Sequence, residues 1–433
     1  MNQLQLLKTR RFWPLFATQF FGALNDNIYR FGLVIFITFT LSEVSGISAG
    51  SLVALSGGIF ILPFFLFSAL AGQLADKYEK SRLIRLIKLA EIIVMGMGAI
   101  GFYLKSASFL LIVLFLMGTH SAFFGPLKYG ILPQLVGDDE LTGGNGLIQM
   151  ATYIAILGGA ALGGVAASIS GFGPLPVVLS VLGIALVGWR CSCLIPEAAP
   201  FDATLILDFG IFRATRTLLR DAVSSWEAAT LMLAISWFWF LGASFLSLVP
   251  AFGKELLHAD ERTVTLLNAA FTVGIGLGSL ACETLSRGRI ELGLMPLAAL
   301  GISLFALDVS FLEISSATTA VTMANFWSVP IAGRCFFDLV GIGACGAVYI
   351  VPLNAALQAR SIPARRARVI GALNVLNALF MVASAGLIAG LLAVGMTIPR
   401  IFFFVAATNL VFLMAALWRM PEFRVRLRAV LRL

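Results

Sequence analysis

Charge is what this sequence has least of: Lys, Arg, Asp and Glu make up 12% of its 433 residues, where a soluble chain carries about 25%. With 59% hydrophobic residues and a mean hydropathy of +0.97, the chain cannot furnish a water-facing surface for a domain of this size. Histidine is scarcer still. His120 and His258 are the two in the chain, which argues against a histidine-built metal cluster. The five cysteines (Cys191, Cys193, Cys282, Cys335 and Cys345) form no CxxC pair and are odd in number, so neither a zinc site nor a disulfide framework is indicated. Short alternating in/out segments of the kind that build a membrane barrel are missing as well. No phosphate-binding G-x-x-x-x-G-K-[ST] loop occurs, and neither histidine has an aspartate five residues on. ATP hydrolysis and H-x-x-x-x-D acyl transfer therefore lack their residues, and the chain reads as a non-enzyme without a cofactor.

What is there is a succession of apolar runs long enough to cross about 30 Å of hydrocarbon. Spans are expected near 12–41, 50–74, 83–104, 108–136, 145–169, 173–194, 229–252, 263–285, 290–311, 333–357, 368–393 and 397–418. Lys8, Arg10 and Arg11 precede the first run with no cleavage pattern after it, so it reads as a span and not a removed leader. An even number of spans puts both termini on one side. Placing that side in the cytoplasm collects most of the Lys and Arg there, including Lys77, Lys80, Arg82, Arg85 and Lys88 in one loop and Arg360, Arg365, Arg366 and Arg368 in another. The +8 net charge thus reports orientation and contact with anionic lipid; nucleic acid is not implied. A polar stretch, 196–228, divides an N-terminal six-helix bundle (1–195) from a C-terminal bundle with a basic tail (229–433). Pro126-Leu127-Lys128 before Gln134 and Asn145 is echoed by Pro352-Leu353-Asn354 before Gln358 and Asn374, as expected of a duplication.

The polar exceptions inside the spans carry the functional reading. Asp26 lies about fourteen residues into the first span, roughly 21 Å deep at 1.5 Å per residue, where an ionisable group must face a cavity or a partner. Asn25 and Asn27 beside it add donors and acceptors. Arg30, one turn on, offers a simpler fate for Asp26, an i,i+4 pair. Lys128 follows Gly125-Pro126, which is expected to break or kink span four, and its ammonium is suited to a phosphate. Asn145 and Gln149 share a face of span five, while Gly158, Gly159, Gly163 and Gly164 suit close helix packing. Asn354 is the neutral counterpart of Lys128. Arg334 and Asp338 form a further i,i+4 pair, read as an outer bridge. Trp237-Phe238-Trp239-Phe240 offers an acyl-chain surface.

The loop Gly72-Gln73-Leu74-Ala75-Asp76-Lys77-Tyr78-Glu79-Lys80-Ser81-Arg82 resembles the G-x-x-x-D-[RK]-x-G-[RK]-[RK] signature of the major facilitator superfamily, with Glu79 in place of the second glycine. Asp76, Lys77, Lys80 and Arg82 are accordingly expected to gate, together with Arg30, Arg334 and Asp338. Phe12-Trp13-Pro14-Leu15-Phe16, Gly22 to Asn27, Lys128 to Leu132, Leu285 to Gly293, Ile235 to Ala243 and Val351 to Asn354 narrow the resemblance to the bacterial lysophospholipid transporter family. They are similar in particular to the transporter part of members fused to 2-acylglycerophosphoethanolamine acyltransferase and acyl-carrier-protein synthetase domains. The resemblance implies an all-α, twelve-helix transporter of the bacterial inner membrane. It would act as a monomer, beside a separate acyltransferase, moving lysophosphatidylethanolamine and related lysolipids from outer to inner leaflet for reacylation. It also implies that Asp26 and Lys128 serve the polar head. Gln149 stands where many relatives have Glu, and the intramembrane Arg of span seven in stand-alone members has no counterpart. The alternative on the same fold is a proton- or cation-coupled exporter of amphipathic small molecules, with Asp26 as the proton carrier.

Overall fold

A computed structural model describes residues 3–37, 49–167, 174–222, 225–312 and 320–431. Each expected span contains one long helix: α1 (Trp13–Phe36), α2 (Ala49–Lys77), α3 (Lys80–Leu104), α4 (Ala107–Leu135), α5 (Leu141–Ala167) and α6 (Leu175–Ser192), then, past a short helix α7 (Ile211–Ala222), α8 (Trp226–Glu255), α9 (Glu261–Ser286), α10 (Leu294–Ser310), α11 (Pro330–Arg360), α12 (Arg366–Ala393) and α13 (Ile398–Arg419). A tail helix α14 (Pro421–Leu431) follows. Among the described residues, nine of these helices are long and apolar enough to cross a membrane. The other three long helices are α1 and α3, each with several buried polar residues, and α10, with 17 residues.

Sequence explains where the key helices start. Ser106 opens α4 by accepting from the amide of Phe109 at 3.3 Å, and Asp260 opens α9 by accepting from Thr263 at 2.9 Å, each supplying an acceptor for an amide the first turn leaves unpaired. Glu79 does the same for α3, accepting from Ser81 N at 2.8 Å and Arg82 N at 2.6 Å, and it also accepts from Ala198 N at 2.8 Å. Burial alone would raise the Glu79 carboxyl, but these amides outweigh it and hold it below its ordinary value. The departure from glycine at this position thus ties the linker to the turn between α2 and α3. Of the break or kink expected at Pro126, the break does not occur, since α4 runs on through Pro126 and Pro133.

Small residues set how closely the helices approach. In α5, a Cβ on Gly159 or Gly163 would lie 2.9 Å from Leu24 O or 2.8 Å from Ile28 O of α1, whereas Gly164 has open space around it. The tightest seam joins α9 to α11: a Cβ on Gly278 would lie 2.1 Å from Ala344 O, and one on Gly343 2.1 Å from Phe271 O. Backbone cannot yield as a side-chain tip can. Gly278→Ala should therefore destabilise the protein by about 1–3 kcal/mol, seen as a melting temperature in detergent several degrees below wild type. Gly276→Ala, on the open face of the same helix with nothing within 4 Å, should leave it unchanged.

The first and last six long helices meet at the end of the bundle that carries both termini. There, Gly72 abuts Ala367, Gly371 abuts Ser68 O, and Gly146 abuts Ser279 O.

Candidate functional site

Asp26, on α1, accepts a hydrogen bond from Ser121 Oγ of α4 at 2.7 Å through Oδ2. Its Oδ1 is buried without a partner. The i,i+4 alternative is not adopted: Asp26 and Arg30 form no ion pair, and the Arg30 guanidinium sits 4.6 Å from the ring centroid of Phe60 on α2. Seven residues, close to two helical turns, separate Ser121 from Lys128, so both project from one face of α4 about 10 Å apart along its axis. Between them, Gly125 faces Asn374 of α12, where an added Cβ would lie 2.5 Å from Nδ2. That face therefore looks across to the last six helices. Lys128 is half-buried, with Nζ 4.4 Å from the Tyr129 ring centroid, and Asn374 Nδ2 is buried without a partner. The result is a carboxylate, an ammonium and an amide gathered along one face of α4, with Asn374 of the last six helices packed against it.

The other expected site residues are placed differently. Asn25 is fully buried and donates to Glu91 Oε1 at 2.7 Å, away from this face. Asn27 donates to its own helix at Ala23 O, 2.8 Å. Asn145 and Gln358 exchange two hydrogen bonds, of 3.2 and 2.8 Å, joining α5 to α11, so Asn145 closes the seam between the two sets of helices. Gln149 is buried with Nε2 unpartnered, and Asn354 is buried in α11. Trp237 is held within the last six helices, donating to Asn409 Oδ1 at 2.9 Å and stacking on Phe240 and Phe412 at 4.7 Å each.

Of the expected gate, Asp76 reaches the last six helices. Its carboxylate accepts from Ala367 N at 3.1 Å, Arg368 N at 3.2 Å and Arg368 Nε at 3.0 Å. Lys77 and Lys80 engage the linker, Lys77 through Leu205 O at 2.7 Å and Lys80 through the Phe201 ring at 4.4 Å. Arg82 contributes its amide to the Glu79 cap. The expected Arg334–Asp338 bridge is replaced: Arg334 on α11 pairs with Asp308 of α10, Nε to Oδ2 at 2.7 Å, because a guanidinium two helices can share reaches the more accessible carboxylate. Gln3 adds a strap across the same end as Asp76, its N donating to Glu283 Oε2 and its Nε2 to Leu280 O, both at 2.7 Å. Beside it lies a cavity of about 550 Å³ lined by Gln3, Leu280, Glu283, Thr284 and Arg287, remote from Asp26.

The family described as the Major Facilitator Superfamily matches residues 15–379. The chain belongs to the major facilitator superfamily. Curated relatives include the lysophospholipid transporter LplT of Pectobacterium carotovorum subsp. carotovorum (strain PC1), 28% identical with 82% of this chain and 79% of that protein covered. The LplT of Enterobacter sp. (strain 638) is 29% identical, with 79% of each covered. Among solved structures, the human organic anion transporter MFSD10 aligns at a TM-score of 0.72, with 16% identity and coverage of 93% of this chain and 99% of that one. The superfamily transporter FucP in its outward conformation aligns at 0.68, with 15% identity and 94% and 98% covered. These likenesses establish the superfamily fold, and the closures at Asp76, Asn145 and Gln3 lie at one end of it.

Sequence reasoning missed the buried group around Glu91. Lys88 Nζ meets Glu91 Oε2 at 2.6 Å, and His120 Nε2 lies 3.2 Å from the same oxygen. In the sequence Lys88 stands among the loop cations, and Glu91 three residues on makes with it only a weak pair at the base of the span. Nothing in one sequence linked them to His120 or Asn25.

Proposed function

We propose that this protein is a lysophospholipid transporter of the bacterial inner membrane, with cytoplasmic termini, moving lysophosphatidylethanolamine and related lysolipids from the outer to the inner leaflet. The observation that carries the reading is the single face of α4 on which Ser121, holding Asp26, and Lys128 both look toward the last six helices. A lysolipid head carries a phosphate and an amine. Lys128 suits the phosphate and Asp26 the ammonium as charge-assisted partners, while the acyl chain remains against the apolar helices, avoiding transfer through polar surroundings. The LplT relatives support the substrate class. Residues 1–195 and 229–433 act as two rocking bundles joined by 196–228, and the Asp76, Asn145–Gln358 and Gln3 contacts close the cytoplasmic end while the site faces outward. A separate acyltransferase would consume the delivered lysolipid.

The test is uptake of labelled lysophosphatidylethanolamine into spheroplasts of a strain that accumulates lysolipids and lacks its own carrier. Expression of this chain should restore delivery to the inner leaflet at least tenfold over the empty strain. No uptake, or proton-driven efflux of amphipathic cations instead, would overturn the reading in favour of an exporter.

A further inference from the structure

We propose that Lys88, Glu91 and His120 are positioning residues whose buried cluster sets the register of α1 against α4, and so the direction in which Asp26 presents its carboxylate. The proposal rests on Asp26 serving the lysolipid head. Glu91 is the hub. It accepts from Asn25 of α1 at 2.7 Å and from Lys88 of its own helix at 2.6 Å, and approaches His120 of α4 at 3.2 Å. Asn25 and His120 are the chain neighbours of Asp26 and Ser121, which bond each other at 2.7 Å. Two adjacent cross-links thus join α1 to α4, one through Glu91 and one direct.

The cluster itself is closed to solvent. Side-chain exposure is 0% for Lys88 and 3% for Glu91, and their charges cancel. Around them, His120 stacks on Phe124, whose ring centroid is 5.1 Å from Lys88 Nζ. Gly22 leaves the room on α1: a Cβ there would lie 2.2 Å from Lys88 Nζ. Burying an ion pair inside apolar helices is often no more stabilising than apolar residues of similar volume, and what such a pair can supply is a unique arrangement. Here the arrangement it fixes is the one that aims Asp26.

The test uses Glu91→Gln and the double variant Lys88→Met with Glu91→Gln, in the full chain in liposomes, with two readouts. In lysophosphatidylethanolamine transport, the double variant should raise KM at least tenfold while kcat stays within twofold and the melting temperature within a few degrees of wild type. In labelling by a hydrophobic carbodiimide, mapped by peptide mass, modification of Asp26 should change at least fivefold, because its bond to Ser121 is no longer enforced. Wild-type KM with wild-type labelling in the double variant overturns the proposal. Should wild-type protein move no lysolipid, the functional reading fails, and the labelling alone decides the positioning role. If the charge variants do not insert, Gly22→Ala, which requires only the flexible end of Lys88 to move, should produce the same labelling change, and an unchanged pattern there overturns the proposal.

Discussion

Asp26→Ala is expected to lower kcat/KM for lysophosphatidylethanolamine roughly 10- to 150-fold, the loss that follows from removing one hydrogen bond to a charged group worth about 1.5–3 kcal/mol. The protein should still insert, since Asp26 contributes one side-chain bond, from Ser121, and its second oxygen is unpartnered. Asp26→Asn separates two roles. An amide keeps an acceptor for Ser121 but loses the charge, so transport of the amine-bearing lysolipid should remain impaired to a similar degree. Uptake of lysophosphatidylglycerol, which has no ammonium, should suffer less. Lys128→Ala should impair both substrates alike, because both carry the phosphate. Uptake assays with the two labelled lipids check all three outcomes, and normal transport of both by the Asp26 and Lys128 alanine variants would remove the head-group model.

Asp76→Ala is the second large effect. In the closed end of the bundle, one carboxylate accepts from two backbone amides and a guanidinium of α12 at 3.0–3.2 Å, and it is fully buried. On the proposed cycle those bonds are made only while this end is shut, so their loss penalises one conformation and leaves the other untouched. A differential of about 3 kcal/mol shifts a two-state ratio roughly 150-fold. The expected result is a transporter biased toward opening at the cytoplasmic end. Spin-label distances between Tyr78 and Ile362, both exposed, should lengthen and transport should slow. Gln358→Ala, which breaks the exchange with Asn145, should move the same distance in the same direction by a smaller amount. A distribution identical to wild type in Asp76→Ala would remove the gate from this end.

The sequence made the architecture legible because hydrocarbon imposes a length on every span, and all twelve expected segments hold a helix. It singled out Asp26, Lys128 and Asp76 as candidates because a charge in or beside an apolar run is costly enough to need a reason. Pairings were harder. Spacing along one helix proposed Arg30 for Asp26 and Asp338 for Arg334, while the folded chain pairs Asp26 with Ser121 and Arg334 with Asp308. Both true partners lie on another helix. The same limit hid Glu91, whose partners Asn25 and His120 come from α1 and α4. Asn145 illustrates the converse, since its polarity was visible but its use in a seam with Gln358 depends on how α5 meets α11.

The cap on α12 has a consequence of its own. The residue preceding this helix, Arg365, provides no side-chain cap, and the acceptor for the Ala367 and Arg368 amides is borrowed from Asp76, nearly 300 residues earlier. The first turn of α12 is therefore complete only when the two bundles are closed at this end. On the proposed rocking cycle, that turn gives up its acceptor to water each time the two bundles separate. The folding of a single helical turn and the transport cycle of the whole protein then share one step.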